Sequence, residues 1–221
     1  NRGKHKICVI TTIETTMEAF VIPAMREFAK QGYEVSLICT MSESFKEKYT
    51  REFNLIPVNM VRGISLKEML TKPFEFYRIF KREKFDYVQY ATTNAAWYAS
   101  VAAWMARVPV RVNCLWGLLY SADKGLKRWL KKMVEKVPCI FSNRFLVASH
   151  KNLVLAVNDR LCRRDRALVI GDGGTVGVDL QQFDVRQREQ LKQEMLNRYP
   201  SLEGKTVFGY LGRIDVDKGI N

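Results

Sequence analysis

Histidine is scarce in these 221 residues: only His5 and His150 are present, with no carboxylates clustered at ligand spacing. A metal site built from protein ligands is therefore not expected. The chain also lacks a C-x-x-C pair. Its five cysteines, Cys8, Cys39, Cys114, Cys139 and Cys162, are scattered, and the first three lie in apolar strand-like runs where a free thiol behaves as a small hydrophobe. That usage points to a reducing compartment. No run approaches the ~18 consecutive apolar residues of a membrane span, and Asn1 to Lys6 is a basic lead-in with no signal-peptide core behind it. The expectation is a cytosolic protein able to lie against a membrane. Also missing is G-x-G-x-x-G after the first strand-like run. A dinucleotide cofactor needs those glycines so that backbone can approach its pyrophosphate, so their absence counts against a dehydrogenase.

Positive charge, by contrast, is in excess. Thirty-six Lys and Arg against 23 Asp and Glu leave a net charge of +13, which favours an anionic partner such as phosphate, a lipid headgroup or nucleic acid. No helix-turn-helix, zinc or aromatic-ribbon pattern supports reading of nucleic acid, so none is expected as a partner. A non-catalytic basic α/β module binding membrane or nucleic acid remains the alternative that charge alone supports. At 47% hydrophobic the chain can bury a full core, and its length allows one large domain and part of another.

Apolar, β-branched runs alternate with helical patterns. Strands are expected at Lys6 to Thr11, Tyr33 to Cys39, Leu55 to Met60, Asp86 to Tyr90, Val108 to Cys114, Arg144 to Ser149 and Ala167 to Ile170. Helices fall between them. Thr15-x-x-Glu18 fits a capping box, Pro23 marks a first turn or kink, and Pro73 interrupts a helix over Ser65 to Lys84. This is the pattern of a Rossmann-like, doubly wound parallel sheet, in which ligands bind at the carboxyl ends of the strands. The segments to watch are therefore Thr11 to Thr16, Ala91 to Asn94, and Leu115 to Tyr120, which hold Thr12, Thr15, Thr16, Thr92, Asn94, Trp116 and Gly117.

Lys124 to Val137 is amphipathic, with Leu126, Trp129, Leu130, Met133, Val134 and Val137 on one face and Lys127, Arg128, Lys131, Lys132 and Lys136 on the rest. Such a helix either packs on a core or, together with the basic Lys67 to Lys84 segment, lies on an anionic bilayer. Gly171, Gly173, Gly174 and Gly177 then fall within seven residues, followed by the apolar anchors Leu180 and Phe183. An ordered crossing between domains is expected, with the first domain at residues 1–184 and a second begun at 185–221. In the second, a strand at Thr206 to Leu211 would feed Gly212-Arg213 and a polar loop with Lys218-Gly219, as a strand feeds a phosphate-facing turn.

Together, Val9-Ile10-Thr11-Thr12, Phe20-Val21-Ile22-Pro23, Gly32-Tyr33-Glu34-Val35, Phe85-Asp86-Tyr87-Val88, Arg107 to Arg111, Trp116-Gly117-Leu118, the Gly171 to Phe183 crossing and Gly212-Arg213 with Lys218-Gly219 resemble the N-terminal half of a retaining GT-B glycosyltransferase of family four, of the capsule or exopolysaccharide type. The resemblance spans nearly the whole chain. It implies an acceptor-binding domain, here contributing the acceptor-side positions named above, and a nucleotide-sugar domain of which only the start is present. It implies a hexose moved from a nucleotide sugar, UDP-linked, to a polyprenyl-diphosphate-linked saccharide at the inner face of the plasma membrane, with no metal required. Arg213 and Lys218, beside Gly212, would grip the donor diphosphate, since two cations offset charge on a departing nucleoside diphosphate. A GT-B sugar-nucleotide epimerase is the intermediate alternative. Two departures stand out: Trp116 occupies the place where relatives carry His before Gly-Leu, and Gln89 and Ala91 stand where others carry His. No general base is therefore assigned, and Trp116 is expected to stack on a sugar. The 221-residue chain alone is expected to be inactive.

Overall fold

A computed structural model describes residues 5–61, 63, 65–181 and 183–212. In chain order the elements are β1 (Lys6–Ile13), α1 (Glu14–Phe20), α2 (Ile22–Lys30), β2 (Glu34–Thr40), α3 (Glu43–Tyr49), β3 (Asn54–Pro57), α4 (Leu66–Glu83), β4 (Tyr87–Tyr90), α5 (Thr93–Met105), β5 (Val110–Leu115), α6 (Gly125–Phe141), β6 (Arg144–Val147), α7 (His150–Asn158), β7 (Ala167–Leu168) and α8 (Arg188–Arg198). The chain divides into two compact units between Gly177 and Val178, inside the glycine-rich crossing and ahead of residue 184.

In the first unit, seven parallel strands form one sheet in the order β3-β2-β1-β4-β5-β6-β7. The strands are nearly continuous apolar runs because both faces are covered, as a parallel sheet requires. Ile7, Val9, Leu37 and Cys39 meet Met17, Val21, Met25 and Phe45 of α1 to α3 on one face. Cys8, Ile10, Val88 and Tyr90 meet Phe76, Phe80 and the alanines of α5 on the other. All five cysteines are free and buried. Burial pushes the thiols of Cys39, Cys114 and Cys139 up to about 12, so they serve as small hydrophobes.

Strand order reverses between β1, which leads outward to β2 and β3, and β4, from which the sheet grows the other way. That is the topological switch point, where adjacent connections diverge and leave a crevice. A bulge sharpens it. Ile10 faces Ile38 and Ile13 faces Thr40, so β1 carries one residue more than β2 across that step, freeing Thr11 and Thr12 from regular pairing.

Four local expectations are corrected. The capping box does not form: the bulge carries β1 on to Ile13, α1 starts at Glu14 with no side-chain cap, and Glu18 instead accepts from Lys48 Nζ and Tyr49 Oη, each at 2.9 Å. Pro73 does not interrupt α4, which runs through it as one helix with the ring buried, so tertiary packing offsets the missing backbone donor. In α6, the basic residues Arg128 and Lys132 turn inward to share Asp159, at 3.0 and 2.6 Å, while Leu126 is 71% exposed and Trp129 55%. The apolar stripe at the start of this helix faces out. Thr206 to Leu211 is not a strand and joins no sheet among the described residues. By contrast Pro23 does sit in the first turn of α2, where its missing N–H costs nothing.

The second unit holds a 3-10 turn at Val185–Gln187, α8 and a further turn at Pro200–Leu202, with no buried residue in α8.

Candidate functional site at the topological switch point

Two hydroxyl side chains close the crevice. Thr92 Oγ1 lies 2.7 Å from Thr12 Oγ1 and accepts the Thr12 amide at 3.1 Å, joining the ends of β1 and β4. Thr92 does this at φ 71°, ψ 143°. Positive φ in a β-branched residue is a true outlier, and such strain concentrates where a fold holds a ligand site.

Two cavities share Thr92 and Thr93. One, of about 440 Å³, is lined by Thr12, Ile13, Thr16, Gly63, Thr92, Thr93, Asn94, Leu119 and Lys131. The other, of about 220 Å³, is lined by Thr92, Thr93, Asn113, Trp116, Gly117, Glu135 and their apolar neighbours. Both lie at the carboxyl end of the sheet. A third cavity, of about 610 Å³, is at the amino end beside Arg160, Arg163, Arg164 and Arg166. It is not where a parallel α/β sheet presents ligands, so the pair at the carboxyl end is the better candidate.

The expected residues divide accordingly. Thr12, Thr16, Thr92, Asn94, Trp116 and Gly117 all line the two cavities. Thr15 is exposed on α1 and lines neither. Asn94 is partly committed already: its Nδ2 donates to Val61 O and Gly63 O, at 2.7 and 2.6 Å, tying both to the start of α5. Trp116 packs against Phe20 with the rings tilted by 48° and their centroids 5.4 Å apart, and against the core, so only part of it is open to a ligand.

The glycine-rich segment is built against the sheet. Gly174 N donates to Ala148 O at 2.7 Å, and a Cβ on Gly173 would stand 2.6 Å from that same oxygen. Gly171, Gly173 and Gly174 all adopt positive φ. Gly177 ends the first unit. Gly212 is the last residue described; Arg213 and Lys218 lie outside the described residues.

One carboxyl escaped the sequence reading. Glu135, on the inward side of α6, is 8% exposed and accepts the Leu119 amide at 2.5 Å through Oε1, while Oε2 is buried with no hydrogen-bond partner among the described residues. Burial raises its pKa to about 7, against the opposing effect of the Leu119 amide. Its signal was a lone acid among five cations in one helix, which reads as surface charge until the helix is rotated into place. Among the described residues no group of three or more His, Cys, Asp or Glu is arranged to hold a metal ion.

An all-parallel doubly wound sheet with a hydroxyl-lined crevice at its switch point defines a Rossmann-like α/β domain of the GT-B kind. Residues 6–149 match the family described as glycosyl transferase 4-like, and the chain belongs to that family. The capsular polysaccharide biosynthesis glycosyltransferase CapM of Staphylococcus aureus is 26% identical over 206 residues, covering 90% of this chain and 52% of CapM. The UDP-N-acetylglucosamine–N-acetylmuramyl-(pentapeptide) pyrophosphoryl-undecaprenol N-acetylglucosamine transferase of Yersinia enterocolitica is 30% identical over 64% of this chain and 44% of its own length. The chain thus spans about half the length of the curated relatives it matches. Among solved structures, Anabaena Alr3699/HepE in complex with UDP and glucose aligns with a TM-score of 0.62 at 13% identity, over 86% of this chain and 50% of that one. A glycosyltransferase from Rickettsia africae aligns at 0.61, 18% identical, over 89% and 50%. The UDP-GlcNAc 2-epimerase of Methanocaldococcus jannaschii reaches 0.59 at 16%, over 88% and 52%, so the fold is shared with epimerases too.

Proposed function

We propose that this chain is the acceptor-binding half of a glycosyltransferase that moves a hexose from a UDP-linked sugar to a polyprenyl-diphosphate-linked saccharide in bacterial cell-surface polysaccharide synthesis. The observation that carries the reading is the crevice at Thr12 and Thr92, hydroxyl-lined and at the ligand end of the sheet, in a chain of the glycosyl transferase 4-like family. Hydroxyl and amide groups beside apolar walls suit a saccharide. The lipid-linked acceptor is supported by the relative whose name specifies a pyrophosphoryl-undecaprenol substrate, and the donor by the neighbour solved with UDP and glucose. Residues 1–184 form the acceptor domain in this reading, and 185–221 open the donor domain, in which Gly212, Arg213 and Lys218 hold the diphosphate.

The surface supports placement on the membrane. Leu126, Trp129 and Leu130 on α6 and Leu66, Leu70 and Phe74 on α4 are exposed, with Lys127 and Lys67 among them. Aliphatic and indole groups seated at a bilayer interface, ringed by cations, attach a protein to anionic lipid. No helix among the described residues is long and apolar enough to cross a membrane.

A protein carrying this chain with its donor half, incubated with radiolabelled nucleotide sugars and a bacterial lipid extract, should pass label from one donor into the organic phase. Nucleotide binding without transfer would redirect the reading to a soluble acceptor or to epimerase chemistry. Replacing Arg213 with Ala should raise the dissociation constant of the nucleotide sugar; unchanged binding removes Arg213 from the donor site.

A further inference from the structure

Lys131 is the one ionisable group among the described residues that line the 440 Å³ cavity; its companions there are hydroxyl, amide and apolar positions such as Thr12, Thr16, Thr92, Asn94 and Leu119. A neutral sugar is satisfied by hydroxyl and amide partners, and a cation beside them points to an anionic part of the same ligand.

The ammonium group is within reach of a ligand. Its side chain is 30% exposed, and one of its three donors goes to Asp123 Oδ2 at 2.6 Å, which leaves two. Asp123 also takes Lys127, at 3.0 Å, so two cations share one negative charge and a net positive charge remains. Hydrogen bonds from Lys131 first and Lys127 second hold the Asp123 carboxyl below its ordinary range, so it stays ionised near neutrality and keeps Lys131 in place. Apolar surface adjoins this cation. Leu126 and Leu130 of α6 and Leu119 of the preceding loop are exposed, and Leu119 lines the same cavity. Exposed aliphatic groups, a pair of lysines and a hydroxyl-lined cavity are thus neighbours. A polyprenyl-diphosphate-linked saccharide has the same three parts, with the diphosphate joining chain to sugar.

We propose that Lys131 holds the diphosphate of the acceptor beside the Thr12–Thr92 crevice and so selects a lipid-diphosphate acceptor over a bare saccharide, an inference that rests on the glycosyltransferase reading above. A diphosphate brings more negative charge than the Asp123 carboxylate and accepts the two free ammonium donors in charge-assisted bonds. The sugar then lies among Thr12, Thr16 and Thr92, and the isoprenoid chain leaves past Leu119 towards Leu126 and Leu130. Lys131 exchanges no proton with the reacting atoms, so the stereochemistry at the anomeric carbon is left to other groups.

Lys131→Met keeps most of the stem and removes the charge. In the full-length protein, KM for a polyprenyl-diphosphate-linked saccharide should rise about 10- to 100-fold, the loss expected of a hydrogen bond between charged groups, with kcat little changed. KM for the nucleotide sugar and for an alkyl glycoside of the same saccharide should hold. An unchanged KM for the diphosphate acceptor, an equal rise for the alkyl glycoside, or wild-type transfer only to acceptors without a diphosphate overturns the proposal. Should the wild type transfer no sugar from any donor, the glycosyltransferase reading has failed on its own. Lys131 is then tested by calorimetry with farnesyl diphosphate, with excess UDP present to fill the donor site. Weaker binding by the variant than by the wild type keeps Lys131 as a diphosphate contact; equal binding, or none by the wild type, overturns it. Where the variant does not fold, reductive methylation of the wild-type lysines, read by mass spectrometry, decides. Farnesyl diphosphate should slow modification of Lys131 where farnesol does not, and an equal rate overturns the proposal.

Discussion

Glu135 makes a prediction about stability. Its folded pKa of about 7 lies above the ordinary carboxyl value, so between those two values the folded state holds a proton that the unfolded state has released. Stability therefore falls as pH rises through that window, and the full loss is present above pH 7. Glu135→Gln should abolish it, stabilising the protein by about 3 kcal/mol at pH 8 and by little at pH 4.5, as read from urea melts at the two pH values. Thr92 works the other way. Thr92→Val leaves the Thr12 amide and hydroxyl without their partner in a buried crevice, and should cost about 1–3 kcal/mol in the same melts. Gly173→Ala sets a Cβ against Ala148 O at positive φ. Because that oxygen is backbone and cannot swing aside, the loss should be about 1–3 kcal/mol, appearing as a lower Tm.

Element by element, α6 carries the most specific consequence. Its inward side is fastened by Arg128 and Lys132 on Asp159, Lys131 on Asp123, and Glu135 on Leu119, while Leu126, Trp129 and Leu130 reach solvent. Apolar side chains already in water contribute little to folding, so the triple change Leu126→Glu, Trp129→Glu and Leu130→Glu should leave Tm within about 2 °C, a shift typical of surface changes. On the membrane reading the same variant should stop sedimenting with anionic liposomes at low salt, where the parent does so and is released as salt rises. A parent that ignores such liposomes would end that reading. The inward basic residues also explain why periodicity alone misjudged the helix: a hydrophobic stripe identifies a helix, but an ion-pair network can take the core side when the partner acids lie on neighbouring loops.

For the whole molecule, the proposed division of labour predicts that the 221-residue chain transfers no sugar by itself, and measurable turnover by it would overturn the assignment of the donor site to the region of Arg213 and Lys218. The alternation of strands and helices, the parallel sheet and the segments at its carboxyl end were legible in the residues, because fully buried strands read as apolar runs and most of the helices between them show a period, a cap or a helix-forming composition. The crevice was legible as a set of segments, Thr11 to Thr16, Ala91 to Asn94 and Leu115 to Tyr120, but not as a pairing. Nothing in local sequence says that a bulge after Ile10 brings Thr12 onto Thr92, that Asn94 spends its amide on Val61 and Gly63, or that α6 is rolled with Glu135 inside. Sequence by itself determined the architecture and the end of the sheet to search, since periodicity and turn chemistry are properties of neighbours along the chain. Only the tertiary structure decided which hydroxyls meet, which oxygen is left without a partner and which face of α6 is wet, because contacts across 80 residues and the desolvation of a carboxyl exist only once distant segments have excluded water between them.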